Sequence, residues 1–277
     1  MKTSVLGVLV AVGILLFVNS GIAALSDKGG LTLYLSESGH AVVLRAPVYV
    51  ELIISNELVE PREVDLGAGQ KAALVITISK NGQREGSFRY PIVSGLSRIG
   101  WIKVGGSGQT RKRILLNEWY DFAAPGKYEI QVSANLRMRS ESKVSSVGVE
   151  SNKIVVEVLP YESSKLDATC RSLRDIALGS DGAEAASEAT LALSLLRDPI
   201  AVPYLEEVFR NGLFAKSIAA DGLLKIRNAA AVNALVQALR DSRNETADIS
   251  RSALHQLMTM GIPEELKSAI SSALATK

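Results

Sequence analysis

Arg197-Asp198-Pro199-Ile200-Ala201-Val202-Pro203-Tyr204-Leu205 and Arg227-Asn228-Ala229-Ala230-Ala231-Val232-Asn233-Ala234-Leu235 fall into register when the chain is set against itself with an offset of 30 residues. The match continues downstream with Val208, Phe209 and Arg210 over Ala238, Leu239 and Arg240, and upstream with Ala185, Ala189, Leu193 and Leu196 over Ala215, Ala219, Leu223 and Ile226. After a four-residue insertion a third copy follows, with Leu257, Met260, Leu266 and Ala269 under Leu223, Ile226, Val232 and Leu235. Apolar residues recur at three- and four-residue steps throughout, so each copy predicts a pair of helices and the copies predict a tandem array. Asp198-Pro199 and Gly261-Ile262-Pro263 read as helix starts, where the first N–H has no partner inside the helix and Pro is tolerated. Gly179, Gly212 and Gly261 read as stops. About three apolar side chains per second helix, worth roughly 1.5–3 kcal/mol each, cannot offset the ordering of a whole copy at about 1 kcal/mol or more per residue. The copies must therefore stack, with an atypical first helix around Leu166, Cys170, Leu173 and Ile176 and a closing helix over residues 264–274.

Upstream of Pro160 the period changes to two. Val48, Val50, Leu52 and Ile54 alternate with Tyr49, Glu51 and Ile53, and the same pattern holds around Leu74, Ile76 and Ile78 and around Tyr128, Ile130 and Val132. Alternation predicts half-buried strands. Shorter runs at residues 31–35, 41–45, 101–104, 113–116 and 154–158 are separated by turn chemistry such as Asn81-Gly82 and Pro125-Gly126. Strands at this spacing predict an antiparallel sandwich over residues 30–160, followed by helical repeats over residues 163–277.

Two resemblances attach to these patterns. The segment Asn117-Glu118-Trp119-Tyr120-Asp121-Phe122, followed by Pro125-Gly126-Lys127-Tyr128, resembles the late hairpin of immunoglobulin-like sandwich modules in exported bacterial proteins, of the kind without a disulfide. That likeness implies that Trp119 and Tyr128 are core or corner residues. The motif Asp198-Pro199-Ile200-Ala201-Val202-Pro203-Tyr204-Leu205, with the helix end from Ala219 to Arg227, resembles HEAT repeats of the short, alanine-rich type first noted in phycobilisome lyases. It implies a short α-solenoid acting as an interaction scaffold. The chain thus reads as a multidomain all-β plus all-α protein.

The amino terminus reads as an address. Lys2, an apolar run from Val5 to Val18, and then Gly21-Ile22-Ala23-Ala24 supply the charged, hydrophobic and small-residue regions of a secretory signal peptide over residues 1–23, cut after Ala23 or Ala24. The run of 14 residues is short for a spanning helix, which needs about 20. Export to the periplasm or the medium is expected, with an uncleaved membrane anchor as the alternative. After cleavage no stable membrane insertion is expected.

Composition narrows the function. The 277 residues carry 31 Lys and Arg against 29 Asp and Glu, and 47% are hydrophobic, which excludes wholesale disorder and argues against a nucleic-acid partner. One Cys cannot form an internal disulfide. Two His, one Cys and no clustered carboxylates leave little for a metal site or a His-based triad, so no catalytic residue, metal or cofactor is expected. Cys170 falls on an apolar helical stripe and reads as a small buried hydrophobe.

Two surfaces stand out. Aligning the second helices of the copies places Glu207, Arg210, Gln237 and Arg240 in one solvent-facing polar row, which reads first as a solvated helix face and, as the alternative, as a ladder that reads a protein partner. Residues 80–117 carry a basic excess that includes Arg98, Lys103, Arg111, Lys112 and Arg113. This reads as edge protection or as a face for an acidic envelope polymer. The expectation is a non-catalytic exported scaffold that binds a protein through its helices, with a carbohydrate- or envelope-polymer-binding sandwich as the alternative.

Overall fold

The computed structural model describes residues 30–37, 41–90, 100–140, 143–179, 182–241 and 245–275. The proposed signal segment, residues 1–23, lies outside them. The strands are β1 (Leu31–Glu37), β2 (Val42–Val43), β3 (Tyr49–Asn56), β4 (Arg62–Asp65), β5 (Leu74–Lys80), β6 (Gln83–Arg89), β7 (Trp101–Val104), β8 (Gln109–Leu115), β9 (Gly126–Ser140), β10 (Lys143–Glu150) and β11 (Ile154–Leu159). The helices that follow are α1 (Ser163–Leu178), α2 (Ala183–Leu195), α3 (Val202–Asn211), α4 (Lys216–Ile226), α5 (Ala229–Asp241), α6 (Glu245–Thr259) and α7 (Glu264–Ala275). The chain is therefore a β-sheet region followed by a helical region, with Pro160 between β11 and α1.

Among the described residues the strands form a three-stranded antiparallel sheet, β1-β3-β8, and an eight-stranded sheet. The larger sheet is organised by β9, whose 15 residues are long enough to serve four neighbours. Its first half pairs with β11 and β5, and its second half with β10 and β4. Alternation explains the core. Leu31, Leu33 and Leu35 on β1, Val50, Leu52 and Ile54 on β3, Leu74, Ile76 and Ile78 on β5, and Tyr128, Ile130 and Val132 on β9 all turn into one cluster between the sheets. Asn81 and Gly82, both at positive φ, make the tight turn from β5 to β6. Pairing of β2 with β11 is parallel.

The helices stand in two rows. α1, α3, α5 and α7 are successive neighbours on one side, and α2, α4 and α6 on the other. The repeat seen in the sequence recurs in the geometry. Arg197 and Arg227, 30 residues apart, have φ of 52° and 54°, the left-handed turn that closes a helix. The residues that follow them cap the next turn: Asp198 Oδ1 accepts from the N–H of Ile200 (3.0 Å) and Asn228 Oδ1 from that of Ala231 (2.8 Å). Gly179 and Gly212 end α1 and α3. Pro199 opens a short 3-10 turn, with α3 proper starting at Val202.

The two regions share a junction. Val43, Ala46 and Leu115 leave the sandwich core and join the core cluster of the helical region, which runs from α1 to α7. Ion pairs surround this contact: Arg45 with Asp198 (2.7 Å), Arg113 with Glu188 (2.9 Å) and Arg197 with Asp121 (3.9 Å).

Candidate functional site

The polar row lies across α1, α3 and α5. Val202, Leu205, Val208 and Phe209 occupy the buried face of α3, so Glu207 and Arg210 fall on its other side. Arg210 donates to Gln237 Oε1 on α5 (3.0 Å) and pairs with Glu206 one turn back (3.1 Å). Glu207 accepts from Arg174 on α1 (2.6 Å), and the same guanidinium stands 5.8 Å over the Tyr204 ring. Tyr204 donates its hydroxyl to Asp167 (2.6 Å), which also pairs with Arg171 (2.9 Å). The hydrogen bond to Asp167 raises the Tyr204 pKa, so this hydroxyl stays a donor at neutral pH. The structure thus brings Glu207, Arg210 and Gln237 together, and places Arg240 one turn beyond Gln237 on the exposed side of α5. Asp167, Arg171, Arg174 and Tyr204 extend the row. Sequence reasoning missed the three on α1 because α1 lies outside the repeat alignment and its acid-base spacing, Asp167 to Arg171, reads as an ordinary helix-surface pair. It missed Tyr204 because that residue aligns with Ala234 and shows no polar row at its register position.

The basic residues of the sheet region do not form one patch. Arg98 lies outside the described residues. Lys103 is exposed on β7 of the larger sheet, opposite Glu63. Arg111, Lys112 and Arg113 sit on β8 of the smaller sheet, where Arg111 pairs with Glu51 (3.0 Å), Lys112 donates to Gln70 (2.9 Å) and Arg113 pairs with Glu188 while covering the Tyr49 ring. On the outer side of the larger sheet, Arg137 and Arg139 approach the Trp101 ring at 5.8 and 5.0 Å.

Trp119 is no open platform. It is 8% exposed and its ring meets that of Tyr90 at 4.9 Å. Tyr90 donates to Glu118, which also pairs with Lys71. Burial, and then the Glu118 charge, push the Tyr90 hydroxyl up to about 12. Tyr128 is buried, and its hydroxyl donates to the carbonyl of Ala124 (2.6 Å), tying the strand start to the turn before it. An open cleft of about 500 Å³ lies at the junction, lined mainly by Val42, Ala46, Pro47, Tyr49, Ala168 and Leu173. Among the described residues no group of His, Cys, Asp and Glu has the arrangement of a metal site, and no helix is long and apolar enough to cross a membrane.

No family model matches the chain, and no curated protein matches it. Among solved structures it is similar to the CARDB domain of a Pyrococcus furiosus protein, at 11% identity over 47% of this chain and 94% of that one, with a TM-score of 0.24. It is also similar to Spo0M, a sporulation control protein from Bacillus subtilis, at 7% identity over 52% and 54% of the two chains, with a TM-score of 0.27. BslA, a bacterial hydrophobin, matches at 14% identity over 50% and 99%, with a TM-score of 0.23. At these identities and TM-scores the matches assign neither a family nor a function.

These comparisons correct the HEAT-repeat resemblance. With no family model on the repeats, and β-rich domains rather than helical-repeat proteins among the structural neighbours, the chain is not identified as an exported HEAT-repeat protein. The physical reason is that the signature rests on Asp-Pro capping, a left-handed helix end and small buried residues. Any closely packed array of short helix pairs needs these, whatever its ancestry.

Proposed function

We propose that this chain is a non-catalytic, exported interaction protein that docks a partner protein on the outer face of its helical row. The observation that supports this best is the bonded ladder Asp167–Tyr204, Arg174–Glu207 and Arg210–Gln237, which crosses three helices. Long side chains normally lose rotamer freedom on binding, at about 0.5–1.5 kcal/mol each. Here their mutual bonds have already fixed them. Arg and Tyr are also the residue types that dominate binding energy at interfaces.

On this reading the helical region is a short α-solenoid and the sheet region an immunoglobulin-like sandwich. The Tyr128 hydroxyl closing on Ala124 supports the latter, as does the parallel pairing of β2 with the last strand. The sandwich serves as a rigid mount. Residues 1–23 send the protein out of the cytosol. The reading of the basic sandwich residues as a polymer-binding face is weaker, because Lys103 stands on the other sheet and Glu51 and Glu188 already offset the charges of Arg111 and Arg113 that an acidic polymer would need.

The test is site-specific photo-crosslinking in the cells that make the protein, with the probe at Gln237 and a control probe at Lys103. A discrete protein adduct from Gln237 alone is expected. Adducts from Lys103 alone would overturn the proposal and move the function to the sheet region.

A further inference from the structure

A strand at the edge of a sheet shows unpaired N–H and C=O groups to its surroundings, and proteins usually blunt such edges with charge, proline, bulges or brevity. Most of the edges in this chain are treated that way. β6 carries Arg84, Glu85 and Arg89, and its register with β5 shifts between Ile78 and Ser79. β7 has only four residues. β8 carries Arg111, Lys112 and Arg113. On β1 the side chain of Asn152 closes the backbone of Leu35, its Oδ1 accepting from the N–H and its amide donating to the carbonyl.

Among the described residues β10 is the exception. Val144-Ser145-Ser146-Val147-Gly148-Val149 contains no charge and no proline, and its register with β9 is unbroken from end to end. Among the described residues β9 is the only strand paired with β10. Just after β10, the N–H of Ser151 donates to Val132 O (2.8 Å), in continuation of the same register. Ser151 and every second residue before it therefore turn their backbone groups toward β9, while Val144, Ser146, Gly148 and Glu150 turn theirs outward. All four are exposed, and Val144 is 56% exposed.

We propose that β10 is the seam of a two-fold symmetric homodimer, in which two copies of the strand pair antiparallel along their open edges. The register that uses residues 144–150 end to end sets Val144 opposite the copy's Glu150, Ser145 opposite Val149, Ser146 opposite Gly148, and Val147 opposite itself on the dyad. Each opposed pair lies on one face of the sheet. Those that exchange hydrogen bonds, Val144 with Glu150 and Ser146 with Gly148, are the ones whose groups point outward.

Charge favours a second copy in this orientation. Glu150 is the only charged residue between 144 and 150, and antiparallel pairing sends its two copies to opposite ends of the seam, about 20 Å apart at 3.4 Å per residue. Parallel pairing would set them side by side. Arg139 of β9 lies directly across from Val144. The copy's Glu150 thus enters, about two strand spacings or 10 Å away on the same face, the row in which Arg139 is held between it and Glu63, to which Arg139 donates (2.7 Å). The seam is self-complementary, as a two-fold interface requires.

The experiment is sedimentation velocity on the full chain, from low to high micromolar concentration, with Ser146→Pro and Ser146→Lys alongside and circular dichroism to confirm folding. Proline at this position removes an outward donor and leaves the bonds to β9 intact. Lysine leaves the backbone unchanged and brings two ammonium groups together beside the dyad. The wild type should dimerise, and each variant should raise the dissociation constant more than about tenfold. If Ser146→Pro unfolds, Ser146→Lys decides. A wild type that stays monomeric across the range overturns the proposal. So does a dimer whose dissociation constant neither folded variant changes.

Discussion

Arg45 Nη1 and Asp198 Oδ2 lie 2.7 Å apart across the junction between the sheet region and the helices, with the Asp198 side chain 5% exposed and that of Arg45 51% exposed. The other oxygen of the same carboxylate accepts the Ile200 N–H that starts the turn into α3. One buried group therefore ends the sandwich contact and begins the helical repeat. Arg45 reaches it from a left-handed backbone, at φ 73°.

Substitutions at the two ends of this pair should differ. Arg45→Ala removes a half-exposed partner and is expected to cost about 1 kcal/mol. Asp198→Ala removes the cap as well and is expected to cost about 2–3 kcal/mol. Urea unfolding of both variants measures the difference. Equal losses would mean that the cap contributes nothing.

Helix α4 crosses α2 at Gly222, where an added Cβ would stand 2.8 Å from Ser194 Cα. Gly222→Ala gains up to about 1 kcal/mol of helix propensity, but it forces the two backbones apart at about 1–3 kcal/mol. A lower melting temperature is the expected outcome. A higher one would show that α2 and α4 do not approach this closely.

Stability should fall at alkaline pH. Burial, and then the Asp167 and Asp198 charges, raise the Cys170 thiol from 9.0 to about 12, and burial with Glu118 raises Tyr90 from 10.0 to about 12. Between those values the folded chain holds protons that the unfolded chain has lost, so stability present below pH 9 drains away as the pH climbs toward 12. The urea midpoint should decline over that window, and Cys170→Ala should flatten its lower part. Under native conditions near pH 8, thiol reagents should leave Cys170 untouched until the chain unfolds. Rapid labelling would place the thiol at the surface.

Gln237 and Arg210 bond each other on the outer row without entering the core. Gln237→Ala is therefore expected to change stability by less than about 0.5 kcal/mol while weakening capture of the partner. Thermal melts and adduct yield from a probe at Arg240 separate the two effects. A large loss of stability would make the ladder a structural brace.

The two-part architecture was readable because the period of the apolar residues changes at Pro160. Strands flanked by strong alternation, such as Val50-Glu51-Leu52-Ile53-Ile54 on β3, declared themselves. β6 and β10 did not, because Gln83 to Arg89 is largely polar and Val144 to Val149 is diluted by Ser and Gly. Both strands are held by pairing with β5 and β9 rather than by their own pattern. The row Glu207, Arg210 and Gln237 followed from the repeat offset. Its partners on α1, and the reach of Arg45 to Asp198 over 153 positions, depend on tertiary contacts that no local pattern encodes. The basic run dispersed because alternate residues of β8 face opposite sides and β7 belongs to the other sheet.

The helical row is held by the sandwich through the Val43, Ala46 and Leu115 contact, and the chain carries a natural probe of whether the two unfold as one body. Both of its tryptophans, Trp101 and Trp119, lie in the sheet region, so their fluorescence follows the sandwich while circular dichroism at the helical minimum follows α1 to α7. The measurement is equilibrium unfolding in urea read by both signals on one sample. Coincident transitions are predicted, because Val43, Ala46 and Leu115 belong to the helical core and Asp198 is closed by Arg45. A helical signal that melts at lower urea than the tryptophan signal would contradict the account and leave the two regions as independent bodies.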